Sequence, residues 1–380
     1  MRTCPPSFLL ALALGLAPSG AAARTLVVHS GESIQDAVDQ AEPGDTVKVL
    51  PGVYTGTPGD PCVVQVSQSG LTLRGSQSAV IDAAGHTFGV CVGERGPIGP
   101  EGCPPVTVHG FRFEGFTVRD AGFTGLFLVG VDGFELLGSR YLDNDEYGPF
   151  PVCSAHGRIA GNFASGHDDA AIYVGDDDAV VVEGNFVTDS TIGVEIENSE
   201  NAIVRNNTLI GNTAGVLVVV LPGLPKPFTE DVAIVGNFIA RNNRPNPFGP
   251  SDPDALAQLP VGTGILNVGG DRVHIRGNAI LQNNSFGVGL IGNPFVFFDA
   301  RIEPFVDGNT VRGNAILANG SAPDPDRPTT PGADIVFVPD VVVEGVTLIP
   351  DPDPSDNCFA QNLFGTDFPA GVTSAFPCSQ

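Results

Sequence analysis

The stretch from Val182 to Val220 reads VEGNFVTDSTIGVEIENSENAIVRNNTLIGNTAGVLVVV, and it decides the fold. Shifted by 22 residues it nearly matches itself, since Asn185 falls on Asn207 and Gly193 falls on Gly215. Each copy holds two short alternating runs separated by Asn and Gly, the pattern of strands joined by turns. A unit this short cannot bury its apolar face alone. It must therefore stack on copies of itself.

The repeat extends along most of the chain and shows itself as three columns of equivalent positions. The first column is a turn position, occupied by Phe116, Ser139, Asn162, Asn185, Asn207, Asn237, Asn278 and Asn314. The second opens the next strand, at Gly125, Gly148, Ala171, Gly193, Gly215, Gly264, Gly287 and Ala333. The third is a polar corner, at Asn144, His167, Ser190, Asn212, Asn242, Asn283 and Asn319. Asn tolerates left-handed backbone, which suits such corners. Breaks in the spacing predict loops near 219–231, 244–262, 291–306 and 319–332.

Side-chain alternation along each predicted strand separates an inward face from an outward face. The inward positions after the second column are all apolar, as a dry core requires: Leu126, Leu128, Ile172, Val174, Val194, Ile196, Val216, Val218, Ile265, Val288 and Leu290. The outward positions are mixed, running through Phe127, Phe150, Tyr173, Glu195, Leu217, Leu266 and Gly289. Candidate functional residues are therefore sought on the outward face.

Composition agrees with one elongated all-β body. The 380 residues include 49 Gly, 33 Pro and no Trp, and only 16% are charged, too few for a helical protein of this length. The formal net charge of −25 repels nucleic acid and anionic membranes, so neither is an expected partner. It also repels a polyuronate unless a cation lies between the two.

The N-terminus has the features of an export signal. Arg2 precedes an apolar run, Phe8 to Leu16, and small residues at 21–23 provide a cleavage site, so residues 1–23 are predicted to be a signal peptide. No later apolar run reaches the roughly 18 residues that cross a bilayer. We therefore expect a periplasmic, extracellular or cell-surface protein.

Six cysteines follow the predicted signal peptide: Cys62, Cys91, Cys103, Cys153, Cys358 and Cys378. An even number in an exported chain favours three disulfides, and the spacing resembles no zinc site. Their pairing is left open, although Cys358 with Cys378 would close a C-terminal loop. We divide the chain into a β-helix with an N-terminal cap (24–350) and a disulfide-closed segment (351–380).

One amphipathic helix is predicted before the repeats. Its apolar residues fall at positions 34, 37, 38 and 41, and Ser33 is a suitable N-cap. A helix in this place would cover the open apolar end of the stack and prevent edge-to-edge association.

The whole pattern resembles the single-stranded right-handed parallel β-helix, an architecture shared by pectate lyases, polygalacturonases and alginate epimerases. More narrowly, three stretches resemble exported bacterial right-handed β-helix repeat proteins, a family without an assigned activity. These are GVEIENSENAIVRNNT (193–208), NTAGVLVVVLPGLP (212–225) and VGTGILNVGGDRVHIRGN (261–278). The resemblance implies the fold but carries over no catalytic residue.

Three aromatic residues share the outward column one coil apart: Phe127, Phe150 and Tyr173. Aromatic rings at this spacing are candidates for binding sugar rings. Outward aromatic residues also commonly pack on each other or under a loop. Both interpretations stay open, and the three residues are our candidate substrate-binding positions.

Five polar residues near this column are candidates for catalysis: Glu195, Glu197, His167, Asp169 and Tyr173. Glu195 and Glu197 lie two apart on one strand, so their side chains start roughly 6.6 Å apart on the same face. Inverting glycosidases use a carboxylate pair at a similar separation. His167 and Asp169 precede Tyr173 and could act as base or acid. Solvated carboxylates, and a corner hydrogen bond for His167, are the competing explanations.

A calcium site is a further candidate, because Asp168, Asp176 and Asp177 place oxygen ligands around one strand. The chain has no EF-hand spacing, and no other cofactor is implied. The alternative is a solvated acidic surface.

Two functions of different class remain open from the sequence. The first is an exported carbohydrate-binding or structural protein of the cell envelope, without a complete catalytic set. The second is a polysaccharide lyase, epimerase or glycoside hydrolase acting on the β-helix face, so we leave open whether the protein is an enzyme. Loops 219–231 and 244–262 beside Tyr173 and Glu195 would favour the second, whereas an open flat face would favour the first.

Overall fold

The computed structural model describes residues 23–327, 329–343 and 345–379. Residues 1–22, which hold nearly all of the predicted signal peptide, lie outside this part. None of the helices in the described ranges has the length and apolarity that a bilayer crossing requires.

Three parallel sheets run side by side, and the chain visits them in turn, so that each coil adds one strand to each sheet. Sheet 1 has twelve strands: Thr25–Val28, Thr46–Val49, Leu71–Arg74, Val108–Glu114, Val131–Leu137, Ala155–Ala160, Val181–Glu183, Ile203–Arg205, Ala233–Val235, His274–Arg276, Thr310–Arg312 and Cys358–Ala360. Sheet 2 has eleven: Cys62–Val66, Phe88–Val92, Thr124–Val129, Tyr147–Val152, Ala170–Gly175, Ile192–Glu197, Ala214–Val219, Thr263–Val268, Phe286–Ile291, Ala333–Val338 and Asp367–Phe368. Sheet 3 has ten: Gly52–Tyr54, Ala79–Asp82, Thr117–Arg119, Arg140–Leu142, Phe163–Ser165, Phe186–Thr188, Thr208–Ile210, Phe238–Ala240, Ala279–Leu281 and Ala315–Leu317. The parallel β-helix predicted from the repeat is confirmed.

The remaining elements are short and lie at the ends or in the loops. A small antiparallel hairpin pairs Val341–Val343 with Val346–Ile349. The α-helices are Ile34–Asp39 and Val372–Ala375, and single 3₁₀ turns occupy Ala255–Gln258, Pro294–Phe297 and Pro354–Asp356.

The inward positions predicted from alternation form the core. Every inward residue named above is fully buried, within one continuous apolar cluster along the stack. The turn column is also internal. Asn207, for example, accepts the backbone N–H of Asn185 at 2.9 Å and donates from Nδ2 to the Val182 carbonyl at 2.9 Å. The same arrangement continues through Asn314 to Asn362, so buried amides satisfy the backbone groups that each corner would otherwise leave unpaired.

Both ends of the stack are closed. The N-terminal helix Ile34–Asp39 buries Ile34, Ala37 and Val38, and Ser33 caps it by accepting the Asp36 N–H at 3.1 Å. The C-terminal segment adds Cys358–Ala360 to sheet 1 and Asp367–Phe368 to sheet 2. The structure pairs Cys62 with Cys91, Cys103 with Cys153, and Cys358 with Cys378.

Candidate functional site

Two glutamates stand on the outer face of sheet 2, on the strand Ile192–Glu197. Glu195 is the register partner of Tyr173 on the preceding strand and of Leu217 on the following one. Although both glutamates project away from the core, Glu195 is only 3% exposed and Glu197 only 8%. Something outside the sheet therefore covers them.

Two tyrosines hold carboxylates beside this strand. Tyr173 Oη donates to Glu197 Oε1 at 2.8 Å, and Tyr147 Oη donates to Asp169 Oδ2 at 2.5 Å. Asp169 comes immediately before the strand Ala170–Gly175, next to the start of the glutamate strand. These five residues, Asp169, Glu195, Glu197, Tyr147 and Tyr173, are called the carboxylate site below.

Insertions between coils cover the site on its C-terminal side. Outer-face residues of sheet 2 and residues from the loops form one apolar cluster. Its sheet members include Tyr173, Leu217, Leu266 and Phe286, and its loop members include Leu221, Phe248, Leu256, Leu259 and Phe295. The loops predicted near 219–231, 244–262 and 291–306 thus turn an outward face into a buried one. On the N-terminal side, Phe127, Tyr147 and Phe150 are half-buried, so the site opens in that direction.

The environment of the carboxylate site favours protonated acids. Burial, together with the charges of Asp169 and Glu197, raises the pKa of Glu195 well above its usual range. Burial raises the pKa of Glu197 to about 7, opposed by the hydrogen bond from Tyr173. Burial likewise raises the pKa of Asp169 to about 8, opposed by the hydrogen bond from Tyr147. Asp254 in loop 244–262 adds a further negative charge near Glu195 and Asp169.

No basic side chain in the described ranges forms an ion pair with Asp169, Glu195 or Glu197. Arg244 and Lys226, which belong to two of the covering loops, are engaged elsewhere. Arg244 contacts Asp168 at 3.4 Å and Asp189 at 3.2 Å, and Lys226 contacts Glu200 at 2.9 Å. Uncompensated, buried carboxyl groups stay protonated to higher pH, which is the state that a general acid needs near neutrality.

His167 does not belong to the site. It is fully buried in the corner column on the inside of the coil, where Nδ1 lies 2.8 Å from the Asn144 carbonyl oxygen. Burial lowers the pKa of His167 to about 4. It fills a position that is Asn in other coils, and it has no path to the outer face.

The aromatic column forms, but its rings cover each other. Phe150 and Tyr173 stack with ring centroids 4.0 Å apart and an interplanar angle of 4°, while Phe127 lies 5.7 Å from Phe150 on the other side. Tyr173 therefore covers one face of Phe150, and the tilted ring of Phe127 packs on its other side. The column is better suited to supporting the tyrosines than to stacking against sugar rings.

The three aspartates proposed to bind calcium do not converge. Asp168 and Asp176 flank the strand Ala170–Gly175 and are eight positions apart, about 25 Å of extended chain. Asp177 turns inward and accepts the Ser154 N–H at 2.6 Å, and Asp176 accepts the Lys226 N–H at 2.9 Å. In the part of the chain that the structure describes, no group of three or more His, Cys, Asp or Glu is arranged to hold a metal ion.

Two contributors to the site were missed from the sequence. Tyr147 falls one coil before Ala170 at the outward start of its strand, so the column alignment could have found it. Asp254 lies in an irregular insertion, where no repeat position predicts its place.

Comparisons with known proteins agree with this architecture. Residues 63–221 match the family described as right-handed β-helix region. No curated protein matches the sequence significantly. The architecture predicted from the sequence, a right-handed parallel β-helix, is confirmed.

Several solved structures are similar over most of the chain. An alginate lyase from Paenibacillus sp. str. FPU-7 is 16% identical, with 77% of this chain and 94% of that chain covered and a TM-score of 0.52. The A-module of the mannuronan C-5 epimerase AlgE4 of Azotobacter vinelandii is 15% identical, covering 87% and 91%, with a TM-score of 0.57. DFA-IIIase of Arthrobacter chlorophenolicus A6, in complex with GF2, is 15% identical, covering 96% of both chains, with a TM-score of 0.54. At these identities the likeness establishes the fold alone.

Proposed function

We propose that this right-handed parallel β-helix protein is an exported glycoside hydrolase that cleaves a neutral glycan at the carboxylate site. The observation that carries the proposal is the convergence of Asp169, Glu195 and Glu197 on one covered patch, two of them held by tyrosines. Three disulfides are in keeping with a protein that works outside the cytoplasm.

The hydrogen bonds suggest separate roles for the two glutamates. A hydrogen bond to an ionised carboxylate favours that form, so Glu197, which accepts from Tyr173, is the better base. No side chain in the described ranges donates to Glu195, and burial raises its pKa well above its usual range, so its protonated form is favoured. Glu195 would give its proton to the glycosidic oxygen as the C–O bond breaks. Glu197 would take a proton from the water whose oxygen bonds to the anomeric carbon.

The charge of the site bears on the class of substrate. Lyases and epimerases abstract a proton beside a substrate carboxylate and need a positive charge to stabilise the intermediate. The carboxylate site has acids and no contacting cation among the described residues, and the whole chain carries a net charge of −25. A uronate would be repelled, so a neutral polysaccharide is the better fit.

A reducing-end assay on a panel of neutral polysaccharides would test this proposal. We expect the mature protein to release new reducing ends, and Glu195→Gln and Glu197→Gln to lower the rate by about 10²–10⁴-fold. Glu183→Gln is the matched control, because Glu183 lies on sheet 1 and pairs with Arg158 and Arg205. Unsaturated products absorbing at 235 nm from a uronan would overturn the hydrolytic assignment in favour of a lyase.

Glycan binding without turnover is the second candidate. The observation in its favour is the small exposed fraction of Glu195, 3%. Under that function the same panel would give binding without products, and Glu195→Gln would leave binding unchanged.

A further inference from the structure

We propose that loop 244–262, pinned by Arg327 and Asp324, ends the carboxylate site on one side and restricts the protein to the ends of glycan chains. This inference rests on the proposed hydrolase function and adds a specificity to it. It concerns loops 244–262 and 319–332, which lie more than 50 residues apart in the sequence and meet over sheet 2.

The guanidinium of Arg327 joins these two loops. Nε donates to the Ala257 carbonyl at 2.8 Å, Nη2 donates to the Phe248 carbonyl at 3.2 Å, and Nη1 donates to Asp324 Oδ2 at 2.8 Å. Asp324 Oδ2 also accepts the Val261 N–H at 2.9 Å. One planar group therefore holds two points of loop 244–262, and Asp324 holds a third, an arrangement that suits the forked guanidinium and not an ammonium.

The side chains of Arg327 and Asp324, which together are called the clamp, are buried. The side chain of Arg327 is 8% exposed and that of Asp324 is 2% exposed. Asn246 braces the loop internally, donating from Nδ2 to the Leu256 and Leu259 carbonyls at 2.8 and 3.0 Å. Polar groups buried together in this way are fully engaged, so the loop is a fixed wall rather than a flap.

The wall blocks only one direction along the outer face of sheet 2. On its C-terminal side, Leu217, Leu266 and Phe286 are all buried under the loop residues Leu256 and Leu259. On the N-terminal side, Phe127 and Phe150 are only half-buried. A polysaccharide cannot run across Glu195 from one side to the other. It can enter from the aromatic side and place its terminal sugars against the wall.

The wall also shapes the electrostatics of the site. Asp254 belongs to loop 244–262, and the groups facing Glu195 are Asp169, Glu197 and Asp254, with Glu146 close to Asp169. Loosening the loop would admit water and withdraw Asp254, and both changes lower the pKa of Glu195. The alkaline limb of the rate profile, along which the general acid loses its proton, would then move to lower pH.

The test compares products from a neutral polysaccharide that the wild-type protein cleaves. We expect the wild type to release mono- or disaccharides while the viscosity falls slowly. Arg327→Lys keeps the charge beside Asp324 and loses the fork. The double variant Asp324→Asn, Arg327→Met removes both charges while keeping the volume. In each we expect longer oligosaccharides, a faster fall in viscosity and an alkaline limb moved to lower pH.

Controls separate this inference from the proposed function. Arg205→Lys makes the same chemical change on sheet 1 and should leave products and pH profile unchanged. Amide exchange of residues 246–259 reports whether each clamp variant has released the loop. Internal cleavage by the wild type, or unchanged products from a variant whose loop exchanges faster, would overturn the end-acting specificity and leave the hydrolase intact. Absence of products from every glycan would instead overturn the hydrolase, and this specificity with it.

Discussion

Glu183 and Glu195 lie in the same coil, twelve positions apart, yet their surroundings differ. Glu183, on the outer face of sheet 1, lies between Arg158 and Arg205, whose hydrogen bonds lower its pKa. Glu195, on the outer face of sheet 2, has Tyr173 and Leu217 as register partners, and burial raises its pKa. The same side chain on the outer faces of two sheets of one coil therefore shows opposite pKa shifts, which its neighbours in the adjacent coils determine.

The contrast extends along both sheets. On sheet 1, alternating charges form a continuous series of ion pairs at 2.5–4.0 Å, from Arg74 through Glu114, Arg112, Glu135, Arg158 and Glu183 to Arg205. On sheet 2, the acids have no basic partner among the described residues, and loops cover them. The first face therefore keeps Glu183 ionised, and the second favours the protonated form of Glu195.

The largest effect on the rate is expected when Glu195 is given a basic partner like that of Glu183. Leu217→Arg places a guanidinium at the register position next to Glu195, as Arg205 is placed next to Glu183. The pKa of Glu195 should fall, so the general acid is lost at neutral pH. We expect hydrolysis at pH 7 to drop by about 100-fold or more, measured as initial rates against pH.

Leu217→Met is the control for that substitution, since it changes shape without charge and should cost less than a few-fold in rate. A Leu217→Arg variant that kept the wild-type pH profile would show that Glu195 is not the acid.

A second prediction concerns stability against pH. Asp169 and Glu197 have pKa values raised to about 8 and about 7, so the folded protein binds more protons than the unfolded chain between about pH 4 and 8. Stability must therefore fall as pH rises through that window. Asp169→Asn should flatten the decline in denaturant melts at pH 5 and pH 8. Glu183→Gln should not flatten it, because the pKa of Glu183 is lowered.

A third change removes one hydrogen bond and leaves every charge in place. Tyr173→Phe deletes the donor to Glu197, whose pKa should rise further. The base then ionises at higher pH, so the acidic limb of the rate profile moves upward. We expect roughly a 10-fold loss of rate at pH 6, comparable to one hydrogen bond to a charged group. A rate loss equal at all pH values would point to misplaced substrate instead.

The smallest effect is expected on sheet 1. Arg158→Ala breaks ion pairs with Glu135 and Glu183 that are partly exposed to solvent. Such pairs contribute about 0–1 kcal/mol each, and salt screens them. We expect a loss of about 1 kcal/mol in urea melts at low salt, most of which disappears in 1 M NaCl. A larger loss of stability that salt does not reduce would mean that the series of ion pairs on sheet 1 stabilises the fold through packing.

The repeat made the fold predictable, because equivalent positions recur at a nearly constant spacing along the sequence. The stack of Asn162, Asn185 and Asn207, the inward apolar set and the four loops all lie where the columns place them. The candidate site was predictable only in part. Glu195, Glu197, Asp169 and Tyr173 come together, since they occupy neighbouring outward positions.

What the loops do was not predictable. Alternation showed that Glu195 faces outward, yet it did not show that Leu256 and Leu259 would cover the neighbouring strands, because insertions follow no period. His167 is the opposite case. The sequence left open both a chemical role and a corner hydrogen bond, and the structure shows the hydrogen bond, with the ring buried inside the coil.

The asparagine stack has a direction. The backbone N–H of Asn162 donates to Asn185, that of Asn185 to Asn207 and that of Asn207 to Asn237, so each coil is completed by the one made after it. A coil without a successor would therefore leave this backbone donor without its acceptor. Only the last acceptor, Asn362, which lies between Cys358 and Cys378, ends the series. We therefore expect that deleting the segment from Cys358 to Cys378 would leave the Asn314 N–H without its acceptor and would expose an unpaired strand edge on sheets 1 and 2, at which copies of the protein can associate.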